Sequence, residues 1–566
     1  MIKRTGAQII VHLLERQGVR IVSGIPGGAN LPLYDALSQS TQIRHVLARH
    51  EQGAGFIAQG MARVSGQPAV CFASSGPGAT NMLTAVADAK LDSIPLICIT
   101  GQVPTAMIGT DAFQEIDTYG ISVPITKYNF FVRSASELLE VIPAAFHIAS
   151  SGRPGPVLID VPKDVQSQLA VFTRWPDPTC PEPWPRADLS AVERAARLIT
   201  SACRPLLYVG GGVIQSGAGQ AVTRLAEKAG IPTTMTLMGL GALPMDHPLS
   251  LGMLGMHAAR YTNLALEECD VLIAAGVRFD DRATGKVAAF CPNAQIIHID
   301  IDKSEINKIK TAHVGIEGDV GEVLHALLPL VEQNPRNEWL AYVSQLKQDY
   351  PLAASGVKDM RSPYGLILHV ASLLDDEAII TTDVGQHQMW AAQVYPLRRP
   401  RQWLTSGGLG TMGFGVPAAI GAALAHPERT VVCFAGDGSL LMNIQELATA
   451  VEQGVNVKIV VLNNNSLGLV RQQQELFYGK RLYASDYQNR VDFVKIAEGF
   501  GMEAHNLSMT DDPVSLLGYI LAKPGPCLIN VPIAVEEKVY PMVPPGAANK
   551  DMIGDHMITK AAAQKR

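Results

Sequence analysis

Residues 430 to 465 read TVVCFAGDGSLLMNIQELATAVEQGVNVKIVVLNNN, and their order of apolar runs and turns decides the fold class. Val431 to Ala435 predicts a buried strand, Gly436-Asp437-Gly438-Ser439 a tight turn, the residues beyond it a helix capped by Asn443 with Glu446, and Val457 to Asn463 a second strand. Strand, turn, helix and strand make one unit of a parallel α/β sheet. That unit brings Asp437 and Asn464 to one carboxyl edge, where open α/β folds bind ligands. Magnesium takes octahedral oxygen ligation and is commonly shared between one or two carboxylates and substrate phosphates. Asp437 offers charge, Asn464 a neutral oxygen, and a diphosphate the rest. Gly436 and Gly438 permit close backbone approach, and the following helix offers free amides to phosphate. Taken alone, the two turns are also what any doubly wound domain contains.

The chain has 566 residues, 47% of them hydrophobic, enough for about three to four domains with large cores. A formal charge of -6 with scattered Lys and Arg excludes a nucleic-acid footprint. Eight cysteines stand far apart without CxxC spacing, which predicts buried free thiols in a reducing compartment. The N-terminal MIKRTGAQIIVHLLERQGV turns apolar but is broken by Glu15 and Arg16, so it predicts an amphipathic helix rather than a signal peptide. No apolar run of about 18 residues predicts a membrane span. A cytoplasmic protein is expected.

Two breaks divide the chain. The proline-rich 174–187 predicts a stiff linker, and 346–364 a softer one, leaving α/β segments 1–173, 188–345 and 365–544 and a tail 545–566. Residues 69 to 101 parallel 431 to 463 through a shared VCFA strand, a glycine turn and a TAV-containing helix. The earlier copy has Ser75 and Gly76-Pro77-Gly78 where the later has its acid. An internal duplication is expected, with one domain holding a diphosphate and its sister doing something else.

The glycine-acid turn followed by Asn463-Asn464 resembles the thiamine diphosphate motif of the pyruvate oxidase and acetohydroxyacid synthase superfamily. The resemblance implies magnesium held by Asp437, Asn464 and the backbone carbonyl of Ser466. The segments SGIPGG (23–28), RHEQGAGFIAQGMAR (49–63), SSGPGATN (74–81), ITGQVP (99–104), DAFQEID (111–117) and GRPGPVLIDVPKDVQ (152–166) are similar to the catalytic subunit of acetohydroxyacid synthase, also called acetolactate synthase. Three doubly wound parallel-sheet domains follow from this likeness: pyrimidine-binding, central FAD-binding and diphosphate-binding. It assigns Glu51 as activator of the cofactor's aminopyrimidine, a task needing a carboxyl group that shares its proton rather than a solvated anion. By itself Glu51 is equally a first-turn glutamate favourable to the helix dipole. Glyoxylate carboligase carries valine at that position, so Glu51 argues against it.

The same resemblance gives the thiamine diphosphate contacts as Gly28, Pro77, Asn81, Val384, Gly385, Gln386, His387, Gly410, Met412, Gly436, Asp437, Gly438, Ser439, Asn464 and Leu469, with Met412 bending the cofactor. Gln114 and Lys163 are expected to act beside Glu51, in a substrate channel lined by Gly28, Ala29, Pro104 and Phe113. In the middle segment, RPLLYVGGGV (204–213), Gly255-Met256-His257, GVRFDDR (276–282), HIDID (298–302) and Gly318-Asp319 resemble the FAD domain of biosynthetic members. The implied flavin residues are Arg153, Gly210, Gly211, Gly212, Thr236, Leu237, Met238, His257, Gly276, Arg278, Asp280, Arg282, Asp300, Ile301 and Asp319. Ala258, where many relatives have glycine, is expected to crowd the flavin.

The reaction this implies is decarboxylation of pyruvate on thiamine diphosphate and condensation of the hydroxyethyl carbanion with a second 2-oxo acid, pyruvate or 2-oxobutanoate. Active sites shared across a homodimer or tetramer are expected, with a small regulatory subunit left open. Gln473 stands where most members have tryptophan, as in an enterobacterial type, and predicts weak discrimination between the two acceptors. A pyruvate oxidase or a simple decarboxylase divides the same chemistry differently, and a catalytically silent nucleotide-binding scaffold is the reading from another class.

Overall fold

The computed structural model describes residues 1–179, 187–352 and 354–554. Residues 180–186, half of the proline-rich stretch and including Cys180, and the end of the tail lie outside them. Three six-stranded sheets, each parallel throughout, follow one another along the chain. Their central strands, such as Val431–Gly436 and Leu96–Gln102, are buried along their whole length. This is the continuous apolar run of a sheet covered on both faces. A separate antiparallel ribbon joins Ile2–Thr5 to Leu169–Phe172.

In spatial order the first sheet runs Arg44–Leu47, Ile21–Gly24, Ala69–Ala73, Leu96–Gln102, Pro156–Pro162, Tyr128–Phe131. The third runs Trp403–Leu404, Ile379–Thr382, Val431–Gly436, Val457–Asn463, Cys527–Pro532, Glu503–Asn506. Numbered within each unit, both have the order 2-1-3-4-6-5, and the paired segments 69–101 and 431–463 supply strands three and four of each. The middle sheet, from Ser250–Met253 through Thr233–Met235, Pro205–Val209, Val271–Ala275 and Gln295–Asp300 to Val314–Glu317, has the order 3-2-1-4-5-6. That is the order of dinucleotide-binding sheets, whose crevice opens between strands one and four.

The first and third units are joined by a helix crossing. Helix Glu51–Ser65 lies against helix Gly415–Ala425, and each gives a glycine to the contact. A Cβ on Gly60 would stand 2.1 Å from the Ala418 carbonyl oxygen, and one on Gly421 would stand 1.9 Å from that of Ile57. Only bare backbones approach this closely. One apolar cluster therefore runs across both units, from Val46, Ile57 and Leu96 to Val416, Ile420 and Val431.

Several expectations need correcting. The single helix after Asp437 is two pieces, Asp437–Leu440 and Glu446–Gln453. Asn443 and Glu446 do not cap it: the Asn443 amide donates to Gly413 O at 2.7 Å, and Glu446 turns away to the first unit. Four residues bring little helix dipole to a phosphate, which leaves the turn amides as the donors. The softer break at 346–364 is helical at its start, because helix Asn337–Asp349 runs into it, and helix Pro363–Leu373 begins at its end. The tail is packed as far as it is described. Asn549 donates to Ala283 O at 2.8 Å, and Met552 is buried. The seven described cysteines are free, and all but Cys203 are buried. No helix of the described residues is long and apolar enough to cross a membrane.

Candidate active site

Asp437 begins the turn after strand Val431–Gly436 and is buried. Its Oδ2 accepts the Ser466 amide at 3.0 Å, which brings together two of the three expected metal ligands. Burial pushes this carboxyl up to about 6, against the pull of surrounding backbone amides. A group held in this way gains most from a cation.

Asn464, half-buried on the adjacent strand end, is oriented by a run of amides. Its Nδ2 donates to Gln386 Oε1 at 3.1 Å, and Gln386 Nε2 donates to Gln472 Oε1 at 3.1 Å and to Glu537 O at 2.9 Å. Gln472 in turn pairs with the Val539 backbone in both directions, each at 2.9 Å. With its nitrogen committed, Asn464 presents its oxygen. Such outer partners commonly set ligand orientation in metal sites.

The 383–387 turn lies beside this edge. Asp383 accepts from Gly413 N at 2.7 Å and Val384 N at 3.2 Å, tying that turn to the one that carries Met412. Its Oδ2 and the Nε2 of His387 are buried without a partner, the kind of atoms a bound polar group satisfies. Burial pushes His387 down to about 3, so its ring is neutral. Met412 is half-buried in the loop before helix Gly415–Ala425, not on a helix, and Gly410 is exposed. Ser439 exchanges bonds of 3.2 Å with the Gly436 backbone.

Glu51 opens helix Glu51–Ser65, with His50 as its cap. Asn81 Nδ2 donates to Glu51 Oε2 at 3.0 Å, and a Cβ on Gly78 would lie 3.5 Å from Oε1. On the other side of the same turn, Gly76 has φ +54°, and a Cβ there would stand 2.9 Å from the Gln114 backbone. The structure thus sets Glu51 and Gln114 around the 75–78 turn. Glu51 is half-buried rather than enclosed. Ala29 is buried, its carbonyl held by Gln166 at 2.8 Å, while Gly28 and Pro77 are exposed. Pro104 and Lys163 are half-buried, and Phe113 is 86% exposed.

The loop with Phe113 and Gln114 is anchored on a buried acid missed in the sequence. Gln102 Nε2 donates to both Ile116 O at 2.8 Å and Asp160 Oδ2 at 3.1 Å, and Thr100 donates to Asp160 Oδ1 at 2.7 Å. Burial pushes Asp160 up to about 7. Also missed is the group around Arg63, whose Nη2 reaches Asp88 at 3.0 Å and Asp92 at 2.8 Å. Asp92 accepts the Gly408 amide at 2.7 Å, and Asp88 accepts the Ser406 and Thr411 hydroxyls, which fixes the loop before Met412. Two acids four residues apart on an alanine-rich helix are the signal that could have revealed them.

A cleft of about 1010 Å³ opens beyond the carboxyl ends of strands one and four of the middle sheet. Every residue assigned above to the flavin lines it, together with Val384, Gly410, Leu469 and Gln473. The turns after the two strands touch: a Cβ on Gly210 would stand 2.1 Å from Gly276 O. Arg153 is committed to Glu305 at 2.8 Å and Asp302 at 3.2 Å across the rim. Asp280 and Asp319 are helix caps through Oδ1, so ordinary turn chemistry accounts for half of each carboxylate. Burial raises Asp300 to about 6 and lowers His257 to about 4. Ala258 is buried and does not line the cleft, so the expected crowding does not arise. Glu51 and Asp437 do not line it either.

Three family profiles match the chain: the N-terminal thiamine pyrophosphate binding domain at residues 4–121, the central domain at 192–327 and the C-terminal binding domain at 383–531. The chain is 63% identical to the acetolactate synthase isozyme 1 large subunit of Escherichia coli, covering 97% of this chain and 98% of that protein. It is 46% identical to the isozyme 2 large subunit of the same organism, over 97% and 99% of the two chains. Against acetolactate synthase 1 of Zea mays the identity is 47%, over 98% of this chain and 89% of the other. The chain belongs to the acetolactate synthase large-subunit family and carries out its thiamine diphosphate-dependent condensation in branched-chain amino-acid biosynthesis.

Proposed function

We propose that one active site is built from two copies of this chain, Glu51 coming from one and the magnesium-diphosphate grip of Asp437, Asn464 and the Ser466 carbonyl from the other. The observation that supports this is that Glu51 and Asp437 begin turns of different units, each near exposed apolar side chains. Phe113 is 86% exposed, Tyr483 84% and Val470 49%, large values for aromatic and branched groups beside functional turns. A twofold pairing that covers both edges satisfies both at once. Dilution coupled to assay tests it: activity is lost with the dimer, and a fully active monomer contradicts the reading.

Thiamine diphosphate, when bound, supplies an acidic carbon that adds to a 2-oxo acid and accepts the electron pair left by carbon dioxide. The chain's residues do the rest. Asn81 holds Oε2 of Glu51, leaving Oε1 to exchange a proton with the cofactor's aminopyrimidine nitrogen. Gln114 and Lys163 receive the substrates, pyruvate first and then pyruvate or 2-oxobutanoate. Lys163 attracts their carboxylates. Gln473, half-buried beside Leu469, offers a polar amide to the acceptor's extra methyl and discriminates little.

In the cleft beyond strands one and four, Gly210 to Gly212 would hold the diphosphate of FAD and Asp300 would accept from its ribose hydroxyls. The condensation moves no net electrons, so the flavin is structural there. The relatives named large subunits imply a small subunit as partner, and a cytoplasmic location fits the same reading. Incubation with pyruvate, magnesium and thiamine diphosphate, with and without FAD, yields 2-acetolactate without oxygen consumption. Oxygen uptake or free aldehyde as the main product would point to an oxidase or a decarboxylase instead. Full activity in a flavin-free preparation would remove the structural role.

A further inference from the structure

Glu446 is fully buried at the start of helix Glu446–Gln453, on the segment that begins with Asp437. Its carboxylate points out of its own unit. Oε1 accepts the backbone amides of Arg49 and of His50, each at 3.0 Å, and Oε2 accepts the Thr449 hydroxyl at 2.7 Å. The two amides belong to the residues immediately before Glu51. A Cβ on Gly53 would stand 2.4 Å from Glu446 Oε1, so the missing side chain there is what admits the carboxylate. The contact is reinforced from both sides: Arg49 meets Glu452 at 2.5 Å, and Arg44 meets Gln453 at 2.5 Å. Burying a carboxylate this completely is costly unless it is fully bonded, and here two of the three bonds come from another unit's backbone.

We propose that Glu446 is the positioning residue for Glu51: from the segment that grips the diphosphate of one active site, it fixes the proton-exchanging glutamate of the other, and so couples the two sites of a dimer. The inference rests on the shared-site reading above. Among the described residues Glu51 has one side-chain bond, to Asn81, and its backbone direction is set by the His50 cap and these two amide bonds. Loss of Glu446 frees the entry to the helix. A displacement of about 1 Å at a catalytic group costs about 100-fold in rate.

The test uses the cofactor-loaded enzyme. In Glu446→Ala, deuterium exchange at the reactive carbon of bound thiamine diphosphate falls by about 100-fold, with the affinity for cofactor and magnesium and the KM for pyruvate unchanged. Glu446→Gln, whose amide oxygen still accepts both backbone bonds, recovers most of the exchange rate. Gly53→Ala displaces the carboxylate from the other side and reproduces the slow exchange. It also stands in for Glu446→Ala if that variant does not fold. Loss of cofactor affinity with normal exchange overturns the proposal in favour of a local structural role.

Mixed dimers, purified through two different tags, locate the effect. Pairing a Glu446→Ala chain with an Asp437→Ala chain leaves one intact site and half the activity. Pairing it with a Glu51→Gln chain leaves none. The opposite pattern means that Glu446 serves its own turn, and overturns the proposal. Pairing Glu51→Gln with Asp437→Ala is the control: half activity supports the shared site, and no activity refutes that reading independently of Glu446.

Discussion

Replacing Arg63 by leucine strips the positive charge from a buried group that locks the first unit to the third. The guanidinium is nearly enclosed, bonded to Asp88, Asp92, Gln59 and the Thr405 carbonyl, and lies 4.8 Å from the Phe414 ring centre. Breaking a buried pair by removing one partner costs about 3–5 kcal/mol, because the other charge is left without compensation. Here two carboxylates are left facing each other. Burial, then repulsion from Asp92, already pushes Asp88 upward, and loss of Arg63 pushes it further. The sign follows. A carboxyl raised in the folded state stabilises below its unfolded value, and that contribution is lost as pH rises through the folded one. The leucine variant therefore suffers more at about pH 8 than at about pH 5.5. Three packed units do not unfold in one step, so the assay is local hydrogen exchange over residues 405–413, where Gly407 and Gly408 donate to Asp92. Opening becomes about 100- to 5000-fold more frequent at the higher pH, with a smaller change at the lower. Equal exchange in variant and parent at both pH values would refute the reasoning.

Other outcomes follow from single contacts. Gln473→Trp should raise the preference for 2-oxobutanoate over pyruvate by about 10-fold or more, since one methylene in an apolar pocket is worth about 1–3 kcal/mol; a competition assay reads it. Gln386→Ala removes the acceptor that holds the Asn464 amide, and magnesium affinity in a titration should fall by about 10- to 100-fold. Asp160 stands at about 7 when folded against an ordinary 3.8, so its contribution is complete below about pH 4 and lost by about pH 7. Asp160→Asn should flatten the loss of local stability across that window by about 4 kcal/mol, seen as a smaller rise with pH in hydrogen exchange over residues 102–116.

The turns were the legible part of this chain. Glycine-bracketed Asp437 and the strand-end Asn464 announce their edge because each motif is local, and the VCFA repeat pointed to two related units, which the structure gives one strand order. The middle sheet was harder. Its GGG turn lacks the usual fingerprint, and the strand order, the approach of Gly210 to Gly276 and the cleft lining show where its crevice lies. Glu446 was misread because its partners, Arg49 and His50, lie almost four hundred positions away, and a local capping pattern was the nearest use for it. Asp160, Arg63 and Gln472 escaped for the same reason. Their bonds cross between strands or units, and of the three only the Arg63 group left a signal, the pair of acids at Asp88 and Asp92. Ala258 failed differently: its neighbour His257 faces the cleft, and it does not.

The central claim is that Glu51 exchanges a proton with the bound cofactor. Glu51→Gln keeps the shape and the Asn81 contact and removes only that exchange. Its rate of acetolactate formation at saturating cofactor should fall by about 100- to 10,000-fold. A variant that forms acetolactate at the parental rate would contradict the account.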